Sequence, residues 1–168
     1  MTATDPATSH WTPWRTVLLG GLTVGILDIL DAFVFFGLRG VAAQRILQAI
    51  AAGLLGRDAA VAGGLRTALL GLVLHFIIAT GVVTTYYLLS RLLPVLLRHP
   101  IICGMLYGIV VFFVMQLVVL PLSATAGGRL LPSGVVLING LLIHALGVGL
   151  PAALFTARGR TGSWLGRP

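Results

Sequence analysis

Apolar residues form four long stretches along this chain, and shorter polar segments separate them. An α-helix needs roughly 20 residues to cross a hydrocarbon core of about 30 Å, and each stretch is that long. The pattern predicts membrane spans at residues 17–38, 66–89, 101–122 and 134–156. We therefore expect an all-α fold, a four-helix transmembrane bundle made of two tandem helical hairpins, with residues 1–168 as a single integral membrane domain.

The connection between the first two spans, residues 39–65, is long and has a helical pattern of its own. Apolar residues recur there at helical spacing, with polar residues on the opposite face. This predicts a short helix that lies in the membrane interface or docks on the bundle, with a re-entrant or gating element as the alternative. The apolar positions are Ile46, Leu47, Ile50 and Leu54, and the polar ones are Gln44, Arg45 and Gln48.

Two glycine motifs occur once in each half of the chain, in the same order. A Gly-x-x-x-Gly pair lies in the first and third spans, and a Gly-x-x-x-His motif lies in the second and fourth. Small residues at this spacing let membrane helices approach closely, so the glycines are candidate packing residues and an internal repeat is predicted. The first half has Gly21 and Gly25, then Gly71 and His75; the second has Gly104 and Gly108, then Gly140 and His144.

Ionisable residues inside the spans are the strongest functional signal. An aspartate at the centre of a transmembrane helix costs about 2.5 to 3.5 kcal/mol on insertion scales. Counted along the helices, Asp28, His75 and His144 lie within about one turn of the midplane, with Asp31 about a turn away. Because such groups usually mark a functional site, these four residues are the candidates for a ligand or proton site.

Three chemistries suit this cluster, and one structural interpretation competes with them. An aspartate beside a histidine can relay protons, whereas His75 and His144 with the carboxylates can hold a divalent metal. Histidines from two helices can also ligate haem b, which would make the protein an electron carrier. Alternatively, the polar residues only hold helices together in a structural or accessory membrane subunit. We expect a midplane site that binds or relays a small cation or proton.

Composition and charge exclude several other classes of protein. The chain is 58% hydrophobic and 9% charged, and its net charge of +7 is carried by scattered arginines, which does not suit nucleic acid binding. Cys103 is the only cysteine, so an internal disulfide is impossible. No hydrolase or transferase motif is present, so an enzyme is not indicated. The expected partners are the lipid bilayer and either a second copy of the chain or another membrane protein.

Orientation is encoded by the arginines, which favour the cytoplasmic side. An even number of spans puts both termini on the same side of the membrane as the loop at residues 90–100. We expect that side to be cytoplasmic, because it has six arginines against five. They are Arg15, Arg91, Arg98, Arg158, Arg160 and Arg167, against Arg39, Arg45, Arg57, Arg66 and Arg129.

Several short motifs carry a resemblance to a known family. The stretch from Ile50 to Tyr87 includes Gly53-Leu-Leu-Gly56 and Gly71-Leu-Val-Leu-His75-Phe76, and Gly104-Met-Leu-Tyr-Gly108 and Val119-Leu-Pro-Leu-Ser123 follow it. Together they resemble a family of small, uncharacterised bacterial four-span inner-membrane proteins. The resemblance implies four spans and a bacterial inner membrane, and it implies no activity.

Overall fold

The computed structural model describes residues 11–125 and 131–166, so Arg129 and Arg167 lie outside the described part. The described residues form helices and no strand, which confirms the predicted all-α four-helix bundle. Its membrane-spanning helices are α1 (Pro13–Gly37), α4 (Gly64–Leu92), α6 (Pro100–Leu122) and α7 (Val135–Thr161). The shorter helices are α2 (Ala43–Leu55), α3 (Arg57–Ala62) and α5 (Val95–Arg98).

The outer surface of the bundle is made of large apolar side chains. Leu30, Val73 and Ile138 are 52%, 56% and 59% exposed. Such a surface is unfavourable in water, whereas in a bilayer the lipid chains cover it. Length, hydropathy and this surface together make the chain a multi-pass membrane protein.

Inside the bundle, the core side chains are small. Val24 of α1, Ala79 and Val83 of α4, and Val148 and Ala152 of α7 are buried in one cluster. Helix α7 packs against α1, α4 and α6, and α1 also packs against α4. Small side chains allow the close helix approach that dispersion forces need when no hydrophobic force acts between helices.

Two spans contain a π-helical turn at the same distance from a proline. Residues Met115–Val119 of α6 and His144–Gly149 of α7 are π-helical, and Pro121 and Pro151 follow two residues after each turn. A proline has no N–H group, and its ring would clash with the carbonyl four residues earlier in a regular α-helix. The wider turn removes this conflict, so α6 continues past Pro121 to Leu122.

The short helix α2 docks on α4, which is one of the two predicted placements, but two of its residues depart from the predicted polar and apolar faces. Gln48, expected on the polar face, is 2% exposed, and its Nε2 donates a hydrogen bond to the Gly64 carbonyl at 2.9 Å. Leu54, one of the predicted apolar positions, is 63% exposed. Alanines beside Gln48 line the contact, because a flat helix face lets the backbone of Leu47 approach Gly71.

Candidate midplane site

Three ionisable side chains from different helices lie at similar depth in the bundle. Asp28 of α1, His75 of α4 and His144 of α7 are each three or four residues from the middle of their helix, about 5 Å along its axis. All three are displaced toward the end of the bundle that carries α2. Residue counts within these helices therefore give Asp28, His75 and His144 similar positions along the bundle.

His75 joins α4 to α1. Its imidazole is 9% exposed, and its Nε2 lies 2.9 Å from the carbonyl oxygen of Gly25. Since a carbonyl can only accept, Nε2 carries the hydrogen and donates it. Nδ1 is then the nitrogen that can take up a proton.

His144 is bound differently, although its sequence motif matches that of His75. Its Nδ1 donates to the carbonyl of Gly140 in its own helix, at 2.9 Å. The ring of Phe112 on α6 packs against its imidazole edge to face, with the centroids 5.3 Å apart. Here Nε2 is the nitrogen left to accept a proton, so the two imidazoles present opposite ring nitrogens.

Asp28 has no hydrogen bond to any described residue, although it lies in the membrane interior. Its carboxylate interacts electrostatically with His144, His75 and Asp31. Asp28 is half-buried within the bundle, and a carboxylate without a hydrogen bond is costly at this depth in a membrane unless a proton, a cation or water offsets the cost. Asp28 is therefore the side chain whose state depends most on what enters the site.

Asp31 of α1 forms a hydrogen bond with a residue of α7. Asn139 donates a hydrogen bond from Nδ2 to Oδ2 of Asp31 at 2.7 Å. This bond joins α1 to α7 one turn away from Asp28, on the side nearer α2. The two aspartates therefore have different partners: the amide of Asn139 binds Asp31, whereas Asp28 interacts electrostatically with the two imidazoles.

The donor set gives little support to a metal. Among residues 11–125 and 131–166, no group of three or more His, Cys, Asp or Glu side chains is placed to hold a metal ion. A structural zinc site needs four ligands within about 2.3 Å of the metal. The metal role of His75 and His144 stays a prediction without a formed cage.

The space beside the histidines does not fit haem b. A side chain added at Gly25 would lie 2.5 Å from the ring of Phe76, and one added at Gly140 would lie 2.6 Å from Phe112. Aromatic rings thus already occupy the space that small residues leave. A macrocycle would have to displace both rings and break the bond from His75 to Gly25.

The glycine pairs make corresponding contacts in the two halves of the chain. Gly21 packs against Thr80, and Gly104 packs against Gly149. When His75 is aligned with His144, Thr80 aligns with Gly149, so the contacts match.

The second pair of contacts follows the same alignment. Gly25 packs against Phe76, and Gly108 packs against Ala145 and the carbonyl of His144. Phe76 and Ala145 each follow their histidine directly. The residue after each histidine therefore lies against the second glycine of its pair, through a phenyl ring in the first half and through the backbone in the second.

Sequence reasoning placed the ionisable residues and named Asn139 as a possible hydrogen-bonding partner, but it did not find the aromatic rings beside the histidines. Phe76 and Phe112, which enclose the histidines, are indistinguishable in sequence from other apolar residues of the spans. The signal for the π-turn beside His144 was Pro151, since proline in a span requires a local adjustment of the helix.

Comparison with protein-family models, curated proteins and solved structures gives no match to this chain.

Proposed function

We propose that Asp28, His75 and His144 form a site inside the membrane that binds or relays a proton or another small cation. The observation that carries this proposal is the carboxylate of Asp28, which has no hydrogen bond among the described residues and interacts electrostatically with both imidazoles. A carboxylate kept in this setting needs an exchangeable positive charge nearby. The protein would then let that charge enter or cross the bilayer.

A proton suits the site better than a metal ion. Each histidine uses one ring nitrogen to bind a carbonyl, which fixes the ring and leaves the other nitrogen for proton uptake. A metal would need several ligands at close range, and the described donors are not so placed.

Proton flux into liposomes tests the proposal. Purified protein would be reconstituted in vesicles that contain a pH-sensitive dye, and a potassium diffusion potential would drive protons inward. We expect flux above that of protein-free vesicles, abolished in Asp28→Asn and retained in Asp58→Asn. Asp58 is the matched control, because it is an exposed carboxylate on α3.

The melting temperature of each variant shows whether a loss of flux comes from the site itself or from loss of the fold. Asn is close in shape to Asp and has no charge to bury, so Asp28→Asn should melt at the same temperature as the wild type or higher. Absence of flux in the wild type, or equal flux in both variants, would overturn the proton relay.

A structural or accessory membrane subunit is the second candidate. It is favoured by the hydrogen bonds that join helices, from His75 to Gly25 and from Asn139 to Asp31. Such bonds hold membrane helices in register without any ligand. Loss of stability in variants of these residues, with no proton flux in the wild type, would favour this function.

Location and repeat are further parts of the proposal. The arginine distribution supports cytoplasmic termini, and the resemblance in sequence supports a bacterial inner membrane. Matching contacts at Gly21 and Gly104 support an internal repeat of the hairpin. Reporter fusions at the two termini and at Leu96 should report the same side, and a fusion at Arg57 the opposite side.

A further inference from the structure

Aromatic rings and arginines converge at the end of the bundle that carries the termini. Trp11, just before α1, lies 5.6 Å from Trp164 and 6.0 Å from Phe155, measured between ring centroids. The guanidinium carbons of Arg15 and Arg158 each lie 5.2 Å from the centre of the Trp11 ring. One indole therefore lies within cation–π distance of two positive groups, one from α1 and one from α7.

The helix dipole explains a positive charge at only one of these two arginines. Arg158 is in the last turn of α7, where the helix dipole favours a cation. Arg15, however, is in the first turn of α1, where the dipole disfavours one. The helix dipole therefore does not account for a cation at Arg15, where an anionic group would be favourable.

The chain itself supplies little negative charge at this end. Its only acidic residues are Asp5, Asp28, Asp31 and Asp58. Asp28 and Asp31 are inside α1, and Asp58 is on α3 at the opposite end of the bundle. The segments predicted on this side of the membrane thus contain six arginines and one acidic residue, Asp5.

An apolar track leads from Arg15 into the membrane. Leu19, Leu22 and Ile26 follow Arg15 on one face of α1 at helical spacing. They are 37%, 51% and 42% exposed, so they face lipid chains. A ligand at Arg15 with a long apolar tail would place that tail along these residues.

We propose that Trp11, Arg15 and Arg158 bind the phosphate headgroup of an anionic phospholipid, with one acyl chain along Leu19 and Leu22. Tryptophan belts lie at the level of the headgroups, and arginines close to the membrane surface attract anionic lipid. Phe155 and Trp164 keep Trp11 in place beside both guanidinium groups. This site is independent of the midplane cluster.

Lipid binding to the purified full-length protein tests the proposal. Native mass spectrometry in detergent would measure retention of phosphatidylglycerol, with phosphatidylcholine of the same acyl chains as the neutral comparison. We expect preferential retention of phosphatidylglycerol, and a loss of affinity of about fivefold for Arg15→Gln, the factor expected for one surface arginine. Arg57→Gln, which removes an exposed arginine at the other end, should have no effect.

These variants test lipid binding only if they fold as the wild type does. Arg15 is exposed, so Arg15→Gln should fold and melt like the wild type without added lipid. The double variant Arg15→Gln and Arg158→Gln should bind still more weakly. Inorganic phosphate added in excess should leave the bound lipid in place, because the acyl chain contributes to binding.

Three results would overturn the proposal. Equal retention of the neutral and anionic lipids would show that the arginines do not select the headgroup. Equal affinities of Arg15→Gln and Arg57→Gln would show that Arg15 is not part of the site. Displacement of the lipid by inorganic phosphate would identify a site for free phosphate.

Discussion

Replacing Gly108 with alanine would test a contact in which α6 and α7 meet backbone to backbone. A Cβ at Gly108 would lie 2.6 Å from the carbonyl carbon of His144 and 3.0 Å from the Cα of Ala145. Ordinary contacts of this kind are 3.4–4 Å long. The carbonyl oxygen of His144 lies closer still, so the two helices would have to separate by more than about 1 Å, because a packed backbone cannot rotate away as a side chain can.

The cost can be estimated from the opposing effects. Overpacking typically costs about 1 to 3 kcal/mol, and this site is at the upper end because both partners are backbone. Alanine is better than glycine in a helix by about 1 kcal/mol, which offsets part of the cost. We expect Gly108→Ala to lower the free energy of unfolding by about 2 kcal/mol.

Gly81→Ala is the matched control. Gly81 is also in the middle of a span, and an added Cβ there meets nothing within 4 Å. It should be neutral or stabilising by up to about 1 kcal/mol. The assay is reversible unfolding in mixed detergent and SDS micelles, followed by tryptophan fluorescence. If Gly108→Ala proves as stable as Gly81→Ala, the helices do not meet at this point and the reasoning fails.

Two further substitutions test the hydrogen bonds between helices in the same assay. His75→Ala should destabilise the bundle by roughly 1 to 2 kcal/mol, and His144→Ala by less, because only His75 bonds to another helix. Equal losses would contradict these assignments. A double-mutant cycle of Asn139→Leu and Asp31→Leu should give a coupling energy of about 0.6 to 1.7 kcal/mol, and zero coupling would mean that this bond contributes nothing.

Span number and position follow from local sequence. A helix satisfies all its backbone hydrogen bonds within one segment, and only a long apolar segment is stable in lipid. Both conditions can be read one stretch at a time, which is why the four predicted spans agree with the helices to within five residues. The presence of a helix within residues 39–65 was predictable for the same reason, since Ala43–Leu55 has its own periodicity.

The face that α2 buries could not be read from periodicity. Periodicity put Leu54 among the apolar positions and Gln48 among the polar ones, and in water such an apolar face would turn inward. Next to lipid, an apolar side chain can face outward at no cost, while a glutamine gains by donating to a backbone carbonyl. The Gly64 carbonyl supplies that partner, and only the folded chain brings it to Gln48.

The candidate site was also predictable from the sequence only in part. Sequence alone determined that Asp28, His75 and His144 lie at one depth, because depth depends only on the count of residues along each helix. The tertiary structure decided that His75 bonds Gly25 across two helices while His144 bonds its own helix, and that Asp31 rather than Asp28 meets Asn139. These partners depend on which helices are neighbours and how each is rotated, and no single span carries that information.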